Sequence, residues 1–518
     1  MTDGKLLIEK LLIYAQTFLG LNELDVVYTR NSLLSLFELQ SPYGKNVSDV
    51  AINSLQVPDE LFQEIVSYSL ENGICDDNAS AELFANKVFD LLTPYPSIVN
   101  DRFMSIKENL GSQVACDYLY GLCIKNNYVK KSIVDKNVKW LVDEFEYPFE
   151  IIFEYAKNNA GEILNNNALS KKNSKYPACK LCKENEGFYG NKNQTSSANL
   201  RTISVNLGGE DWVMQYAEYP RISEHCIITS KEHTAHVING GTIDKLFDFI
   251  ELFPSYFIGA DADLPLIGAT ELNHAQFQGG KCVSPLHNAK AISSFRSELF
   301  SDTSVEILDY YSSAIRVTGF NRNTVQTLAT EIIDAWRAYF DAPYGIWAVT
   351  DDSVFHNSTT LVARFLPDNR YCIELILRNN LTTEEYPFGI FNTRPEYQNV
   401  KNNNVGLIDT MGIIALSSEL YEQFKQIAEI LAQKVVYDIK ELNDKNDELF
   451  AHRSLIEELM KKHANCKDVK KATAILNAYL NKACAEILKS TAVFKKDAHG
   501  IKNFNEFMSA CGLKAVKK

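Results

Sequence analysis

The first part of the chain carries apolar residues at the spacing of amphipathic helices. Leu61-Phe62-x-x-Ile65-Val66 is one such run, and similar runs begin at Leu83 and at Cys116. Residues three or four positions apart lie on one face of a helix, so each run predicts a helix with one buried face. The region 1–146 is therefore predicted to be helical, with a loop at 93–97, where two prolines disfavour helix.

The pattern changes to that of strands at Phe149-Glu150-Ile151-Ile152-Phe153. From there to residue 416 short apolar runs alternate with turns, and predicted helices at 242–253 and 325–340 interrupt them. This texture predicts an α+β fold with antiparallel pairing for the region 147–416. The region 417–518 is predicted to be helical from Glu419 to Lys489, with a lysine-rich, peripheral end from Phe494 onward. The sequence shows no internal repeat.

Composition is that of an ordinary soluble globular protein, with 46% hydrophobic and 23% charged residues in a chain of 518. The net charge of −14 disfavours a non-specific nucleic-acid binder, because such binding depends on clustered lysine and arginine. No apolar run approaches the roughly 20 residues that a membrane span needs, and the mixed residues 1–21 do not resemble a signal peptide. Eleven cysteines spread over the chain argue against a disulfide framework. We therefore expect a reduced, cytoplasmic protein.

One cysteine pair has the spacing of metal ligands. In Cys179-Lys180-Leu181-Cys182 two thiolates two residues apart can chelate one Zn²⁺. Two incidental cysteines are the alternative. The sequence has no second pair of this spacing, so completing ligands would be histidines or carboxylates. Five of the nine histidines lie between His225 and His287, and His233 and His274 are among them.

The segment 272–280 is the second candidate for chemistry. It reads Leu272-Asn273-His274-Ala275-Gln276-Phe277-Gln278-Gly279-Gly280. The pattern suits an exposed strand end, and the two glycines allow a ligand to approach the backbone closely. The amides of Gln276 and Gln278 can donate to phosphate oxygens. Polar turns of this composition are common, so the segment alone is weak evidence.

Taken together, these blocks resemble the galactose-1-phosphate uridylyltransferases of the Gram-positive bacterial type, a branch of the histidine-triad superfamily. The resemblance extends along most of the chain. The ordered blocks that carry it are Val27-Tyr28-Thr29-Arg30-Asn31, Tyr176-Pro177-x-Cys179-x-x-Cys182, Glu224-His225-Cys226-Ile227, Phe277-Gln278-Gly279-Gly280, Arg378-Asn379-Asn380 and Gly389-Ile390-Phe391. It implies a histidine-triad-like antiparallel sheet core for 147–416, flanked by helical regions.

The resemblance also implies a chemistry. In the family a histidine attacks the α-phosphate of UDP-glucose, and the uridylyl group then passes to a hexose 1-phosphate, galactose 1-phosphate. By analogy, the zinc ligands would be Cys179, Cys182, His233 and His274, and Gln278 would contact the transferring phosphate. Substrate binding would fall to Arg30, Asn31, His356, Asn357, Arg378 and Asn379. Related enzymes further imply a homodimer.

Position 276 departs from the family pattern. The family places its nucleophile as the second histidine of His-x-His-x-Gln, whereas this chain reads His274-Ala275-Gln276-Phe277-Gln278. An amide nitrogen has its lone pair delocalised, so Gln276 is a poor nucleophile. Two hypotheses follow. The chain transfers by another route, with His225, His287 and His356 as the nearby histidines, or it is a catalytically silent paralogue that binds a nucleotide sugar or a sugar phosphate.

Overall fold

The computed structural model describes residues 3–155, 176–190, 195–268, 271–350, 353–435 and 444–516. Its N-terminal part is a group of helices whose apolar faces share one hydrophobic core with the main sheet. These helices are α1 (Gly4–Tyr14), α2 (Val26–Leu36), α3 (Val50–Asn53), α4 (Asp59–Glu71), α5 (Asn78–Leu92), α6 (Pro96–Leu110), α7 (Ser112–Lys125) and α8 (Lys131–Val134). Capping fixes where some begin. The Asp3 carboxylate accepts N–H groups of the first turn of α1, and Asp77 with Ser80 forms a capping box on α5.

The helical region ends earlier than residue 146. Strand β1 (Val138–Val142) pairs antiparallel with β2 (Phe149–Glu154), which also pairs in parallel with β13 (Ile413–Ser417). The side chains of β1 alternate between half-buried and exposed, as expected of a strand with one covered face. The domain boundaries at 146 and 416 stay predictions.

The main sheet has eleven strands in the order β14-β8-β9-β10-β12-β11-β6-β7-β5-β4-β3, and neighbouring strands are antiparallel. The α+β prediction is confirmed. The strands are β3 (Ile203–Leu207), β4 (Glu210–Tyr216), β5 (Cys226–Ser230), β6 (Phe257–Ala260), β7 (Gln276–Gly280), β8 (Lys290–Arg296), β9 (Thr303–Asp309), β10 (Ala314–Gly319), β11 (Asn357–Phe365), β12 (Tyr371–Asn379) and β14 (Lys514–Ala515).

The sheet consists of two halves with the same topology. The first half, residues 203–280, has three meandering strands, then α9 (Gly240–Leu252), then a hairpin whose second strand pairs back with the third strand. The second half, residues 290–379, repeats this order around α10 (Arg322–Arg337). The halves meet where β6 pairs with β11. The sequence suggested no internal repeat, because this repeat is one of strand order.

The two faces of the sheet are covered differently. On one face α9 and α10 pack against Ile258, Phe277, Leu361 and similar residues. The opposite face, which we call the polar face because Gln278 and Glu374 lie on it, is covered partly by the three-stranded sheet and the C-terminal helices. These helices are α11 (Leu407–Thr410), α12 (Ser418–Leu431), α13 (Arg453–Lys462) and α14 (Val469–Ser490). The last helix, α15 (Ala498–Ala510), packs in the core on the other face. The predicted helical segment from Glu419 to Lys489 includes residues 436–443, which lie outside the described residues.

The end of the chain is not peripheral. Phe494, Phe504, Phe507 and Met508 are buried in the same core as the helix-covered face of the sheet, and β14 adds a strand beside β8. Of the lysines that suggested a peripheral segment, Lys502 and Lys514 are exposed, while Lys495 and Lys496 are half-buried. Within the described ranges, no helix combines the length and apolar character that a bilayer crossing requires.

Candidate functional site

Two cysteines and two histidines come together where β5 ends and β7 begins. Cys179 Sγ lies 3.5 Å from Cys182 Sγ and 3.2 Å from His274 Nδ1, and Cys182 Sγ lies 3.3 Å from His233 Nδ1. The four ligand atoms all lie within 4.8 Å of one another. Ligands of a tetrahedral zinc ion, at about 2.3 Å for sulfur and about 2.0–2.1 Å for nitrogen, are about 3.3–3.8 Å apart. The cluster therefore has dimensions that can hold a metal ion.

Local hydrogen bonds hold these ligand atoms in place. Asn185 Nδ2 donates to the carbonyl oxygens of Cys179 and Cys182, each at 2.8 Å, and so closes the turn that carries both thiols. His274 Nε2 lies 2.8 Å from the carbonyl oxygen of Ser230. A carbonyl oxygen only accepts, so Nε2 carries the proton and the lone pair is on Nδ1, the atom facing the thiols.

Without a metal ion, burial favours the uncharged forms of the cluster's side chains. Burial raises the pKa of the Cys179 thiol to about 12, and burial lowers the pKa of His274. Both shifts disfavour charged side chains. A divalent cation would favour the thiolates and use the neutral imidazole as a ligand. The structure thus brings together Cys179, Cys182, His233 and His274 in a sulfur and nitrogen donor set suited to zinc.

Strand β7 starts two residues after His274 and carries both candidate glutamines. Successive side chains of a strand point to opposite faces, so Gln276 and Gln278 lie on the polar face while Phe277 stacks on Trp212 in the core, with ring centroids 4.7 Å apart. Gln276 is half-buried at the start of the strand. Gln278 lies further in, opposite Ile227 on one side and Gly259 on the other.

Gln278 is held by His225, which the sequence analysis named as a nearby histidine, and by Asp261, which it did not name. His225 Nε2 lies 3.2 Å from Gln278 Oε1, and Gln278 Nε2 donates to Asp261 Oδ2 at 3.3 Å. The backbone N–H of Arg221 points at His225 Nδ1 at 3.5 Å, which leaves the ring proton on Nε2. These contacts fix which end of the Gln278 amide faces which neighbour. The family-like block around His225 was the available signal, whereas nothing local marked Asp261.

Burial shifts the pKa values of both side chains that hold Gln278 toward their uncharged forms. Burial, assisted by Arg221, lowers the pKa of His225 to about 4, so the imidazole is uncharged at neutral pH. Burial raises the pKa of Asp261 to about 6, although nearby Arg378 opposes the shift. A neutral histidine beside a fixed amide suits a site that must admit a negatively charged phosphate.

The predicted substrate ligands of the second half are buried. Arg378 is fully buried near Asp261, donates to the carbonyl oxygen of Val405 at 2.9 Å, and has its pKa lowered to about 10, mainly by burial. Asn357 and Asn379 hydrogen-bond each other at 2.7 Å. His356 Nδ1 lies 2.8 Å from Asn380 Oδ1. These side chains bind other parts of the protein, and their role as substrate ligands stays a prediction.

Arg30 and Asn31 lie elsewhere, on α2 in the N-terminal helices. Arg30 forms a two-pronged ion pair with Glu9, at 2.8 and 2.9 Å, and Asn31 is exposed. Across the described ranges, no hydrogen bond joins either residue to β7. Their assignment to substrate binding also stays a prediction.

Comparison with known proteins decides the family. Residues 21–235 match the model for the galactose-1-phosphate uridyl transferase N-terminal domain. A galactose-1-phosphate uridylyltransferase from Caldanaerobacter subterraneus subsp. tengcongensis is 33% identical over 99% of both chains. The chain belongs to the galactose-1-phosphate uridylyltransferase family. Family members of the same name from Clostridium acetobutylicum (32% identical, 97% of this chain and 99% of the relative) and Streptococcus mutans (31%, 95% and 96%) support this.

The uridylyltransferase family assignment covers both halves of the sheet, because the relatives align along nearly the whole chain. The domain match itself includes Cys179, Cys182 and His233 and ends before His274 and β7. No solved structure gives a significant match. The resemblance inferred from sequence blocks is therefore confirmed at the level of family.

Proposed function

We propose that the chain is a UDP-glucose:hexose-1-phosphate uridylyltransferase that acts on galactose 1-phosphate. The observation that carries this proposal is the full-length similarity to relatives named galactose-1-phosphate uridylyltransferase, 33% identical over 99% of both chains. The donor cluster that leads directly into β7, and the oriented amide of Gln278, support it.

The substitution at position 276 directs the proposed route. With Gln276 in place of an imidazole, we propose direct in-line transfer between two bound substrates. A phosphate oxygen of galactose 1-phosphate attacks the α-phosphorus of UDP-glucose and forms the new bond. The bond from that phosphorus to the bridging oxygen breaks, and glucose 1-phosphate leaves with the electron pair. Proximity of two bound reactants can supply much of the rate enhancement.

The protein groups on β7 have defined tasks in this route. The amide N–H groups of Gln276 and Gln278 would donate to the phosphoryl oxygens, where negative charge builds up in the transition state. His225 would position Gln278 through the contact at 3.2 Å. We propose that Cys179, Cys182, His233 and His274 bind a zinc ion. The zinc would link the turn that carries the two cysteines to the start of β7.

A second candidate function is a silent paralogue that binds a nucleotide sugar or a sugar phosphate without transfer. The observation that favours it is Gln276 itself, since an amide replaces the expected nucleophile. Both candidates use the same site, so one experiment separates them.

The experiment uses UDP-glucose labelled in the phosphate attached to uridine. Formation of labelled UDP-galactose only when galactose 1-phosphate is present, with no label on the protein, would support direct transfer. Acid-labile, base-stable label on the protein would instead indicate a histidine intermediate and refute that route. Binding of UDP-glucose without turnover would favour the silent paralogue.

A substitution tests the position of the site. Gln276→His should raise the transfer rate and produce acid-labile label on the protein, because it restores the imidazole. Gln113→His, on the surface of α7, is the matched control and should change neither. An unchanged rate in Gln276→His would contradict the placement of the reacting phosphorus beside position 276.

Three further properties belong to this proposal. We propose one zinc ion per chain, which elemental analysis would measure, and a homodimer, which light scattering of the purified protein would detect. We also propose a cytoplasmic location. The eleven cysteines are free thiols in the structure, which suits a reducing compartment.

A further inference from the structure

A cavity of about 680 Å³ lies on the second half of the sheet, away from the cysteine–histidine cluster. Its wall includes Phe257 at the start of β6, His287 in the turn before β8, and Arg316 and Arg364 on the polar face. Ile222, Phe257, Leu286 and Met411 belong to an apolar layer on this face. The volume is that of a small-molecule site.

The floor of the cavity is a buried charge cluster. Glu374 is completely buried and accepts hydrogen bonds from Arg316 Nε and Arg364 Nη2, each at 3.0 Å. Two arginines and one carboxylate leave one positive charge in excess. A buried charge of this kind is expensive unless a partner is near.

Arg316 uses its remaining donors to build the wall. Its guanidinium donates to the carbonyl oxygens of Leu286 and Ala289 at 3.0 Å, and of His287 at 3.2 Å. These bonds hold the turn that presents His287. The excess positive charge can therefore interact with a ligand chiefly through Arg364.

Two buried donors of this wall are unused. Within the ranges that the structure describes, the buried donors Arg364 Nε and His287 Nε2 have no hydrogen-bond partner, and neither has the buried acceptor Glu374 Oε2. The backbone N–H of Ser284 donates to His287 Nδ1 at 3.3 Å, so the ring proton is on Nε2. Burial lowers the pKa of His287 to about 4, which keeps the ring neutral and that nitrogen a donor. Buried polar atoms without partners are destabilising, so a ligand group that reached these donors would be stabilised.

The rim adds both signs of charge. Arg370 lines the cavity, where its guanidinium binds Asp368 at 2.8 Å and Thr318 at 3.3 Å. Glu306 also lines it, half-buried on β9 opposite Arg316. The negative charges of Asp368 and Glu306 offset the excess positive charge of the arginines. A bare phosphate ion would therefore gain less than a ligand that also offers hydroxyl groups to the Glu306 carboxylate.

We propose that this cavity is a binding site for a monosaccharide phosphate, separate from the β7 site. The phosphate binds Arg364 and Arg370, and the sugar hydroxyls donate to Glu306. The aromatic side chain of Phe257 gives the sugar ring an apolar wall. This assignment does not depend on uridylyl transfer, because none of these residues belongs to the β7 site.

The test uses calorimetric titration of the full-length protein with glucose 6-phosphate and with inorganic phosphate. Glucose 6-phosphate has its phosphate away from the anomeric carbon and is not a reactant of the proposed transfer. We expect glucose 6-phosphate to bind more tightly than phosphate, and saturating UDP-glucose to leave its affinity unchanged. Competition by UDP-glucose, or no binding to the wild-type protein, would overturn the assignment.

Variants test the contribution of individual side chains to binding. Arg364→Met should weaken glucose 6-phosphate at least tenfold, by loss of a charge-assisted contact, and Arg370→Met, at the more exposed rim, about threefold. Glu306→Gln should tighten inorganic phosphate and remove the preference for the sugar, a gain that misfolding does not produce. Arg322→Met, in a surface ion-pair group on α10, is the control and should match wild type. Unchanged affinity in both Arg370→Met and Glu306→Gln would refute the proposal even if Arg364→Met fails to fold.

Discussion

The two halves of the sheet have the same strand order but carry different side chains at matching positions. They meet at Gly259 on β6 and Val362 on β11, which pair across the junction. Gly259 and Val362 belong to a row of residues that pair across neighbouring strands on the polar face. Moving away from the junction, the next residues of this row are Gln278 and Ile227 in the first half, and Glu374 and Arg316 in the second half. The same positions thus carry a neutral amide in one half and a buried ion pair in the other.

This difference shows what the strand order does and does not determine. The order places the second residue from the junction on the polar face in both halves. Gln278 is half-buried there and held by His225 and Asp261, while Glu374 is completely buried between two arginines. The chemistry of each half follows from the side chains on this shared frame.

The largest expected effect concerns the cysteine–histidine cluster. In the described part of the chain, the first half of the sheet has this cluster and the second half has no counterpart. Cys182→Ser should abolish metal binding and lower the free energy of unfolding by about 5 kcal/mol or more, because metal binding contributes directly to folding. Elemental analysis and denaturant unfolding measure the two effects. Cys75→Ser, a partly exposed cysteine outside the cluster, is the control. A wild-type protein without metal, or indifferent to a chelator, would contradict this prediction.

The second prediction concerns the ion pair of the second half. Glu374→Gln should lower the free energy of unfolding by about 3–5 kcal/mol, because Arg316 and Arg364 lose their buried counter-charge. Glu458→Gln is the control. It breaks an exposed pair with Lys462, with 56% and 64% of the side chains accessible, and should change stability by less than about 1 kcal/mol.

A triple variant sharpens this second test. Replacing Arg316, Glu374 and Arg364 together by methionine should recover most of the stability lost in Glu374→Gln, since no unpaired charge remains. If the triple variant is as unstable as Glu374→Gln, packing rather than charge pairing explains the loss.

The third prediction addresses the junction between the halves. A Cβ atom on Gly259 would lie 2.6 Å from the carbonyl oxygen of Leu361 and 2.7 Å from Leu407 Cδ1. Gly259→Ala should therefore cost about 1–3 kcal/mol of stability. Gly44→Ala, with open space around it, is the control. Equal unfolding curves for both variants would mean that β6 and β11 can separate without strain.

How far sequence analysis reached depends on whether the signal was local. The Cys179–Cys182 pair was visible because both ligands lie in one turn, and the family resemblance then added His233 and His274, which the structure brings to the same cluster. The α+β class followed from short apolar runs separated by turns, and the run in β12 is one of them. These features need only neighbours in the chain or known relatives.

The rest depends on contacts between distant segments. Arg316 and Glu374 occupy polar positions in alternating strands and therefore look like solvent-facing charges. They are buried because the turn at 285–289 and other segments cover the polar face, which no local pattern reveals. The apolar residues near the C-terminus were interpreted as peripheral for the same reason, since lysines separate them in sequence while the fold buries them.

The smallest expected effect compares one histidine from each half. His225 touches Gln278, and His287 lies in the electrostatic field of Glu374, Arg364 and Arg316. Burial is the first cause of a pKa lowered from 6.5 to about 4 in both. Between these values the folded state binds fewer protons than the unfolded state, so stability rises with pH from about 4 to 6.5 and falls as acid is added.

His225→Gln and His287→Gln should therefore each flatten the pH dependence of the free energy of unfolding in this window, by at most about 1.4 kcal/mol per pH unit. Denaturant unfolding at several pH values between 4.5 and 7 measures the slopes, and His499→Gln, on an exposed turn of α15, is the control. Equal flattening in both variants would mean that the two halves bury their histidines alike despite different neighbours. If only His287→Gln flattens the slope, His225 is hydrated in solution, and the amide of Gln278 then lacks the fixed partner that our proposal for the β7 site requires.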